Sequence, residues 1–354
     1  MTERIHIPAG KPYDVLIGRG LLAEAGRQVR EACPKAEKAF VVTDDRVAEL
    51  YGESVIETLR AEGLRTERLA FAHGEASKTV ETWARVMEAM CAARMTRSDV
   101  LVALGGGVTG DLGGFAAACY QRGIDYVQIP TTLLAMVDSS VGGKTAVDLA
   151  GGKNQAGAFW QPKRVICDPD TLGTLPEEEY RCGCAEIIKY AMIGSAEFFA
   201  SLEKTPVRDQ AEQVIAECVR MKRDYVQADE FDLGQRMMLN FGHTFGHACE
   251  ALSRFSILHG QGVAMGMSLM ARAAAARGIL AEEDKDALIG LIRKYGLPTE
   301  AGWTAAEMAE ACRADKKAAG SSIRIVVPEK IGKCRIQTVK TEELETWLRQ
   351  GGAA

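Results

Sequence analysis

The chain has 354 residues, 47% of them apolar and 26% charged, and a formal net charge of −5. This is the balance of an ordinary globular protein of roughly two domains, which excludes a fibrous or disordered chain and argues against nucleic acid, a partner that needs a basic face. No stretch approaches the ~20 apolar residues of a membrane span, the first residues lack the apolar core of an export signal, and the ten cysteines, Cys33 to Cys334, are expected as reduced thiols, so a cytoplasmic protein without a membrane partner is expected.

Up to Leu175, short apolar runs alternate with helical stretches. The runs Tyr13–Ile17, Ala39–Thr43, Glu67–Phe71, Val100–Leu104 and Tyr126–Ile129 read as strands. From Thr79 to Met95 the period is helical, with Trp83, Val86, Met87 and Met90 on one face. Strands alternating with helices imply a mainly parallel sheet covered on both sides.

The run Val100–Leu104 leads into Gly105-Gly106-Gly107, with a helix expected from Gly110 or Asp111. Gly105, Gly107 and Gly110 satisfy G-x-G-x-x-G, a turn that lets a diphosphate approach the backbone at a helix N-terminus. Two features depart from the usual dinucleotide pattern. The loop follows a late strand, and the next strand ends in Pro130-Thr131-Thr132 rather than an acid. Next, Gly142-Gly143-Lys144 and Gly151-Gly152-Lys153-Asn154 repeat a pattern of glycines followed by a cation. The spacing is not that of a P-loop. The segment reads either as a flexible loop with solvated lysines or as a holder for phosphate or carboxylate.

After Pro176 the texture turns helical, over Glu177–Ile193, Arg208–Val226, Gln235–Ser253, Gln261–Arg277 and Glu282–Lys294, with one late strand at Ile323–Val327. The expected organisation is an α/β domain over residues 1–175 and a helical domain over 176–354, with a cleft between them of the kind that commonly holds a ligand. The closing Gly-Gly-Ala-Ala is expected to fray.

Three of the five histidines, His243, His247 and His259, fall in one short window. His243 and His247 are four apart and share a helical face; His259 is expected at the start of the next helix. The set points to a metal, and spacing leaves open whether all three ligate or a carboxylate replaces one. The carboxylate candidate is Glu186, with Lys189 one turn on, a charged pair on a helix otherwise made apolar by Ile187, Ile188, Tyr190, Ala191 and Met192. Cys182 and Cys184 form a C-x-C pair without a second pair at zinc spacing and are not expected as ligands.

The strings GGGVTGDLGGFAAACYQRG, IPTTLLAMVDSSVGGKTAVD, GGKNQAGAFWQP, AEIIKYA, RMMLNFGHTFGHACE and HGQGVAMGM, in this order, resemble the 3-dehydroquinate synthase family of sugar-phosphate cyclases. The similarity runs from about Gly74 to Met267 and continues more weakly to Asp315–Lys317. The resemblance implies a Rossmann-like NAD-binding α/β domain followed by an all-helical domain holding a catalytic Zn2+ or Co2+. It assigns the metal to Glu186, His243 and His259. It implies NAD contacts at Asp44, Glu75, Lys78, Gly105, Gly106, Gly107, Asp111, Thr131 and Thr132, with Lys144 and Lys153 shared with the substrate. The substrate cage is implied at Lys153, Asn154, Arg236, Asn240 and Lys316, or Lys317 beside it. Asp138, Lys144, Lys189, Lys222 and His247 are implied in catalysis. Arg122 resembles an arginine lent to the neighbouring subunit's phosphate, which implies a homodimer.

The implied reaction converts 3-deoxy-arabino-heptulosonate 7-phosphate to 3-dehydroquinate plus phosphate. It runs through transient oxidation by NAD, phosphate elimination, re-reduction, ring opening and an intramolecular aldol closure. The alternatives are another sugar-phosphate cyclase, such as a 2-deoxy-scyllo-inosose or valiolone synthase, and a metal-dependent polyol dehydrogenase. The former act on substrates without a carboxylate; the latter needs no phosphate cage. One departure concerns the metal: Gln261 stands where the family usually has Glu, which predicts an uncharged partner for His259.

Overall fold

The computed structural model describes residues 2–315 and 321–354. The chain divides into two compact units, Met1–Leu175 with Glu212–Phe231, and Pro176–Ala211 with Asp232–Ala354. The first unit holds β1 (Glu3–Ile7), β2 (Tyr13–Ile17), β3 (Lys38–Asp44), β4 (Arg65–Phe71), β5 (Val100–Gly105), β6 (Asp125–Pro130), β7 (Lys144–Leu149), β8 (Gly152–Phe159) and β9 (Arg164–Cys167). Seven of these make one sheet in the order β1-β2-β9-β6-β5-β3-β4. Only β1 and β2 pair antiparallel in it.

Alternate residues of a strand face opposite sides, and the core follows that rule. Val41, Val100, Val102 and Leu104 bury with the helices Ala25–Ala32 and Glu53–Ala61. Phe40, Val42, Leu101 and Ala103 bury on the other side with Val80–Ala92 and Gly107–Cys119. The sheet is thus covered on both faces, as a mainly parallel sheet requires.

The topology places the ligand crevice. From β3 the chain moves outward to β4, then returns to β5 on the other side of β3 and continues to β6. The connections leaving β3 and β5 diverge, and a crevice opens at the carboxyl ends of these two strands. The glycine loop follows β5 at this point. Asp44 ends β3, the strand next to β5 and its glycine loop.

Several expectations change. The helix after the glycine loop starts at Gly107, not Gly110. The Lys144–Phe159 segment is a paired hairpin, β7 with β8, rather than a loop. The helix Ala211–Ala228 belongs to the first unit, where Glu212 accepts from the Arg19 amide at 3.2 Å and Arg220 pairs with Glu3. The division expected after residue 175 is interrupted by this one helix.

The second unit is helical, built on Glu177–Gly194, Ala196–Lys204, His243–Leu252, His259–Ala276, Glu282–Lys294, Ala305–Asp315 and Leu344–Gln350. It is not wholly helical: β10 (Ser322–Lys330) and β11 (Lys333–Lys340) form an antiparallel hairpin. The helix His259–Ala276 is its centre and packs on four of the other helices and the hairpin. The stretch expected as one helix over Gln235–Ser253 breaks at Gly242, whose φ of 80° is left-handed, into a 3-10 turn Gln235–Asn240 and a helix from His243. The terminal residues are packed rather than frayed: the Ala353 amide donates to Leu348 O at 3.0 Å and Ala354 O accepts from Ala305 N at 3.0 Å. Among the described residues no helix is long and apolar enough to cross a membrane.

Candidate active site

In the first unit the expected cofactor residues gather at the strand ends. Gly106 lies against Thr132, whose methyl a Cβ at Gly106 would meet at 2.9 Å. A Cβ at Gly110 would meet Gln128 Oε1 at 2.6 Å. Bare backbone is therefore what the loop can present to a bound group. The Thr131 amide donates to Gly105 O at 3.0 Å, tying the β6 end to the loop. Asp44 accepts from the Val47 amide at 2.9 Å and caps the turn after β3.

Lys78 is 4% exposed and reaches across to the loop helix and the hairpin. Its ammonium donates to Asp111 Oδ2 and Asn154 Oδ1, both at 2.6 Å. Burial alone would lower its pKa, but Asp111, Glu75 and Asp148 outweigh burial and raise it, so Lys78 stays charged. Asn154 is further held through its amide on Asp148 Oδ1 at 2.7 Å, and Lys153 faces Glu75 at 3.7 Å. Lys144 opens β7 with an exposed side chain. Lys222, 6% exposed on the helix Ala211–Ala228, donates to Asp138 O at 2.6 Å and to the Asp138 carboxylate. The first unit thus brings together Glu75, Lys78, Asp111, Lys153 and Asn154, and pairs Asp138 with Lys222. Arg122 stands apart. It is exposed and lies beyond the loop helix rather than on it, in a turn where Gln121, Arg122 and Gly123 have φ of 51°, 65° and 117°.

In the second unit Glu186, at 0% exposure, and Lys189, at 1%, form a buried ion pair at 2.6 Å. The pair thus lies in the interior, where each charge is costly without the other. His243 is the first residue of its helix and His259 the first of the next. The His243 Nδ1 lies 3.1 Å from Phe241 O, which can only accept, so the proton is on Nδ1 and Nε2 carries the lone pair. That Nε2 is 3.6 Å from Glu186 Oε1. His259 Nε2 is 3.1 Å from the same oxygen, while its Nδ1 is 2.9 Å from Glu250 Oε1. One ligand atom each from Glu186, His243 and His259 falls within 4.8 Å of the others. A carboxylate and two imidazoles, with each outer Nδ1 already occupied, suit a borderline divalent ion such as Zn2+ or Co2+.

Burial pushes His243 down to about 3, Glu186 opposes, and Lys189 and the neighbouring histidines add to the fall. Burial also works against charge on His259, but Glu186 and Glu250 outweigh it and push that imidazole up to about 10. Two carboxylates thus surround His259, and the cluster holds a proton where a cation would sit. His247, the histidine that spacing paired with His243, groups instead with Glu250 and His259, one ligand atom of each lying within 4.8 Å of the others. Its ring lies 5.5 Å from that of His243 and 6.1 Å from that of His259. Arg236, 2% exposed, and Asn240 occupy the 3-10 turn that leads into Gly242. Lys316 and Lys317 lie outside the described residues.

Two features escaped the sequence reading. Glu250, not Gln261, is the partner of His259; Gln261 accepts from the Leu258 amide at 2.9 Å and closes the helix start. The expectation of an uncharged partner is therefore wrong. Second, the histidine helices touch backbone to backbone. A Cβ at Gly266 would stand 1.9 Å from Gly242 O, one at Gly246 2.8 Å from Gly262 O, and one at Gly262 2.9 Å from Gly246 O. Both were detectable in principle. Glu250 falls one turn after His247, and Gly242/Gly246 and Gly262/Gly266 are two small-residue pairs at i, i+4.

The 3-dehydroquinate synthase N-terminal family matches residues 68–182, and the 3-dehydroquinate synthase C-terminal family matches residues 183–318. A 3-dehydroquinate synthase of Enterococcus faecalis strain OG1RF is 43% identical over 347 residues, covering 96% of this chain and 97% of its own. A 2-epi-5-epi-valiolone synthase from Streptomyces hygroscopicus subsp. jinggangensis 5008, solved with NAD+ and Zn2+ bound, is 30% identical with a TM-score of 0.87, covering 96% of each chain. A 2-deoxy-scyllo-inosose synthase, complexed with carbaglucose-6-phosphate, NAD+ and Co2+, has a TM-score of 0.88 over 99% of this chain and 100% of its own; at 24% identity it shows the shared fold.

Proposed function

The chain belongs to the 3-dehydroquinate synthase family, and from that premise we propose that it is a phosphate-eliminating carbon–oxygen lyase of the shikimate pathway to aromatic amino acids. Its substrate is 3-deoxy-arabino-heptulosonate 7-phosphate and its products are 3-dehydroquinate and phosphate. The observation that carries the reading is the presence in one chain of two devices. One is a glycine loop at a sheet switch point, and the other is the buried Glu186, His243 and His259 cluster. A simple phosphate lyase needs neither a dinucleotide crevice nor a metal.

Bound there, Zn2+ or Co2+ supplies the charge that acidifies a substrate hydroxyl, and NAD supplies a hydride acceptor. Glu186, His243 and His259 hold the ion. Asp44, Glu75, Lys78, the glycine loop, Asp111, Thr131 and Thr132 hold the dinucleotide, with Lys144 and Lys153 shared between cofactor and substrate. A phosphate and a carboxylate on one small molecule call for several fixed cations and amides. Lys153, Asn154, Arg236, Asn240 and Lys316 answer that call. Lys222 is aimed by Asp138, whose carbonyl and carboxylate both accept from its ammonium. His247 and Lys189 carry protons, His247 because it borders the metal ligands without joining Glu186, Lys189 because it shares the Glu186 carboxylate. In a cytoplasmic homodimer, Arg122 reaches the substrate phosphate of the neighbouring subunit.

The test is phosphate release with NAD and Zn2+, run side by side on this seven-carbon acid phosphate, glucose 6-phosphate and sedoheptulose 7-phosphate. Turnover is expected on the acid alone. Release from either carboxylate-free sugar phosphate, with none from the acid, would move the chain to another cyclase activity.

A further inference from the structure

We propose that Glu250 is the positioning residue of the metal centre, holding the His259 ring so that Nε2 faces Glu186 and His243. The inference rests on the metal reading above. Glu250 is 2% exposed, and a carboxylate so deeply buried is costly unless something charged or strongly donating pairs with it. The partner is His259, whose Nδ1 lies 2.9 Å from Glu250 Oε1.

The surroundings fix the carboxylate in turn. Its own backbone carbonyl accepts from Phe255 N at 2.8 Å and from Ser253 Oγ at 2.7 Å, which pins the end of the helix. Space for the side chain comes from Gly262. A Cβ there would stand 3.1 Å from Glu250 Cγ and 3.3 Å from Oε1. Gly262 therefore keeps open the volume that Glu250 fills.

Glu250 also groups with His247 and His259 as a second set of three potential ligands within 4.8 Å. That set shares His259 with the first. Since the His259 Nδ1 is already engaged by Glu250, the second set is the outer shell of the first rather than a second ion site. A carboxylate on Nδ1 fixes the tautomer and ring plane and makes Nε2 a better donor to the metal. Gln261, occupied with the helix start, cannot replace it.

The experiment titrates metal-free wild type, Glu250→Gln, Glu250→Ala and Glu186→Gln with Zn2+ against a chromogenic chelator. It also records the Co2+ absorption spectrum and the melting of each metal-free protein. Glu250→Ala is expected to weaken Zn2+ binding about 10- to 100-fold and to change the Co2+ bands. Glu250→Gln, whose amide oxygen still accepts from Nδ1, is expected to fall between Ala and wild type. It also carries the test if Glu250→Ala fails to fold. If Glu186→Gln loses the ion while Glu250→Gln and Glu250→Ala bind it as wild type does, the positioning role is overturned and the metal reading stands. A fall in melting temperature with unchanged Zn2+ affinity also overturns it, because that is a purely structural role. If wild type binds no ion, the metal reading itself is overturned, and this inference with it.

Discussion

The contact between the two histidine helices makes opposite predictions for one substitution at two sites. In an open helix interior, Gly→Ala stabilises by about 0.8–1.0 kcal/mol, because glycine loses more backbone entropy. Gly290, exposed on the helix Glu282–Lys294 with nothing within 4 Å of an added Cβ, is such a site. At Gly266 the added Cβ would sit 1.9 Å from Gly242 O and 2.7 Å from Gly246 N. Non-bonded heavy atoms rest at about 3.5 Å, so the helices must part by roughly 1.5 Å. The obstacle is backbone, which cannot rotate aside, so the overpacking cost lies at the upper end of the usual range, about 3 kcal/mol. The net expectation for Gly266→Ala is a loss of about 2 kcal/mol after the helix gain of up to ~1 kcal/mol is subtracted. Because His243 and His259 start the two helices, the same separation spreads the ligand atoms beyond the ±0.2 Å or so that a metal site tolerates. Urea unfolding of metal-free protein and chelator competition for Zn2+ measure the two effects. Gly290→Ala should be more stable than wild type with unchanged metal affinity, and Gly266→Ala less stable with weaker affinity. A Gly266→Ala protein as stable as Gly290→Ala, with wild-type affinity, would refute the close helix crossing and the account of how the histidines converge.

Two further expectations follow from the charges and from the proposed assembly. The His259 pKa in the metal-free fold is raised to about 10, above its unfolded value of about 6.5. The stabilisation is therefore fully present below about 6.5 and is lost as pH rises through about 10. Metal-free protein should lose stability across that window relative to metal-loaded protein, and Zn2+ uptake near pH 8 should release a proton, seen as buffer-dependent heat in calorimetry. Equal heats in buffers of different ionisation enthalpy would contradict it. For the dimer, inactive Arg122→Ala mixed with inactive Lys189→Ala should recover part of the activity, since some mixed dimers carry one intact site; no recovery after verified subunit exchange would remove the trans role of Arg122.

How far the sequence could be read depended on the range of the interactions involved. Strands β3 and β5 were legible because a buried parallel strand writes itself as a near-continuous apolar run such as Val100–Leu104. The β7–β8 hairpin was not, because glycines at 142, 143, 151, 152 and 157 imitate a loop. At Gly157 the glycine instead serves pairing, since a Cβ would stand 2.1 Å from Thr145 O. Nor could periodicity show that Ala211–Ala228 belongs with the sheet; its amphipathic pattern is the same whichever unit it covers. The place of Asp44 beside the glycine loop is likewise invisible to spacing and came only from the family resemblance. Strand order makes Asp44, far upstream in the sequence, the residue at the end of the strand next to β5.

The metal cluster shows the same limit at higher resolution. Spacing of four residues puts His243 and His247 on one helical face and so treats them alike. What separates them is local: His243 is the first helical residue, and Phe241 O takes its Nδ1 proton and turns Nε2 towards Glu186. One turn later, inside the helix, His247 brings a ring nitrogen within 4.8 Å of ligand atoms of Glu250 and His259. The family's usual Glu at position 261 made Gln261 the expected partner of His259. The observed partner lies nine residues upstream across the glycine contact, where Gly246 and Gly262 let one helix bring Glu250 to the other. A ligand's identity is thus a property of residue type and spacing, but its orientation is a property of the packing between helices, and packing at this crossing is set by residues that have no side chain.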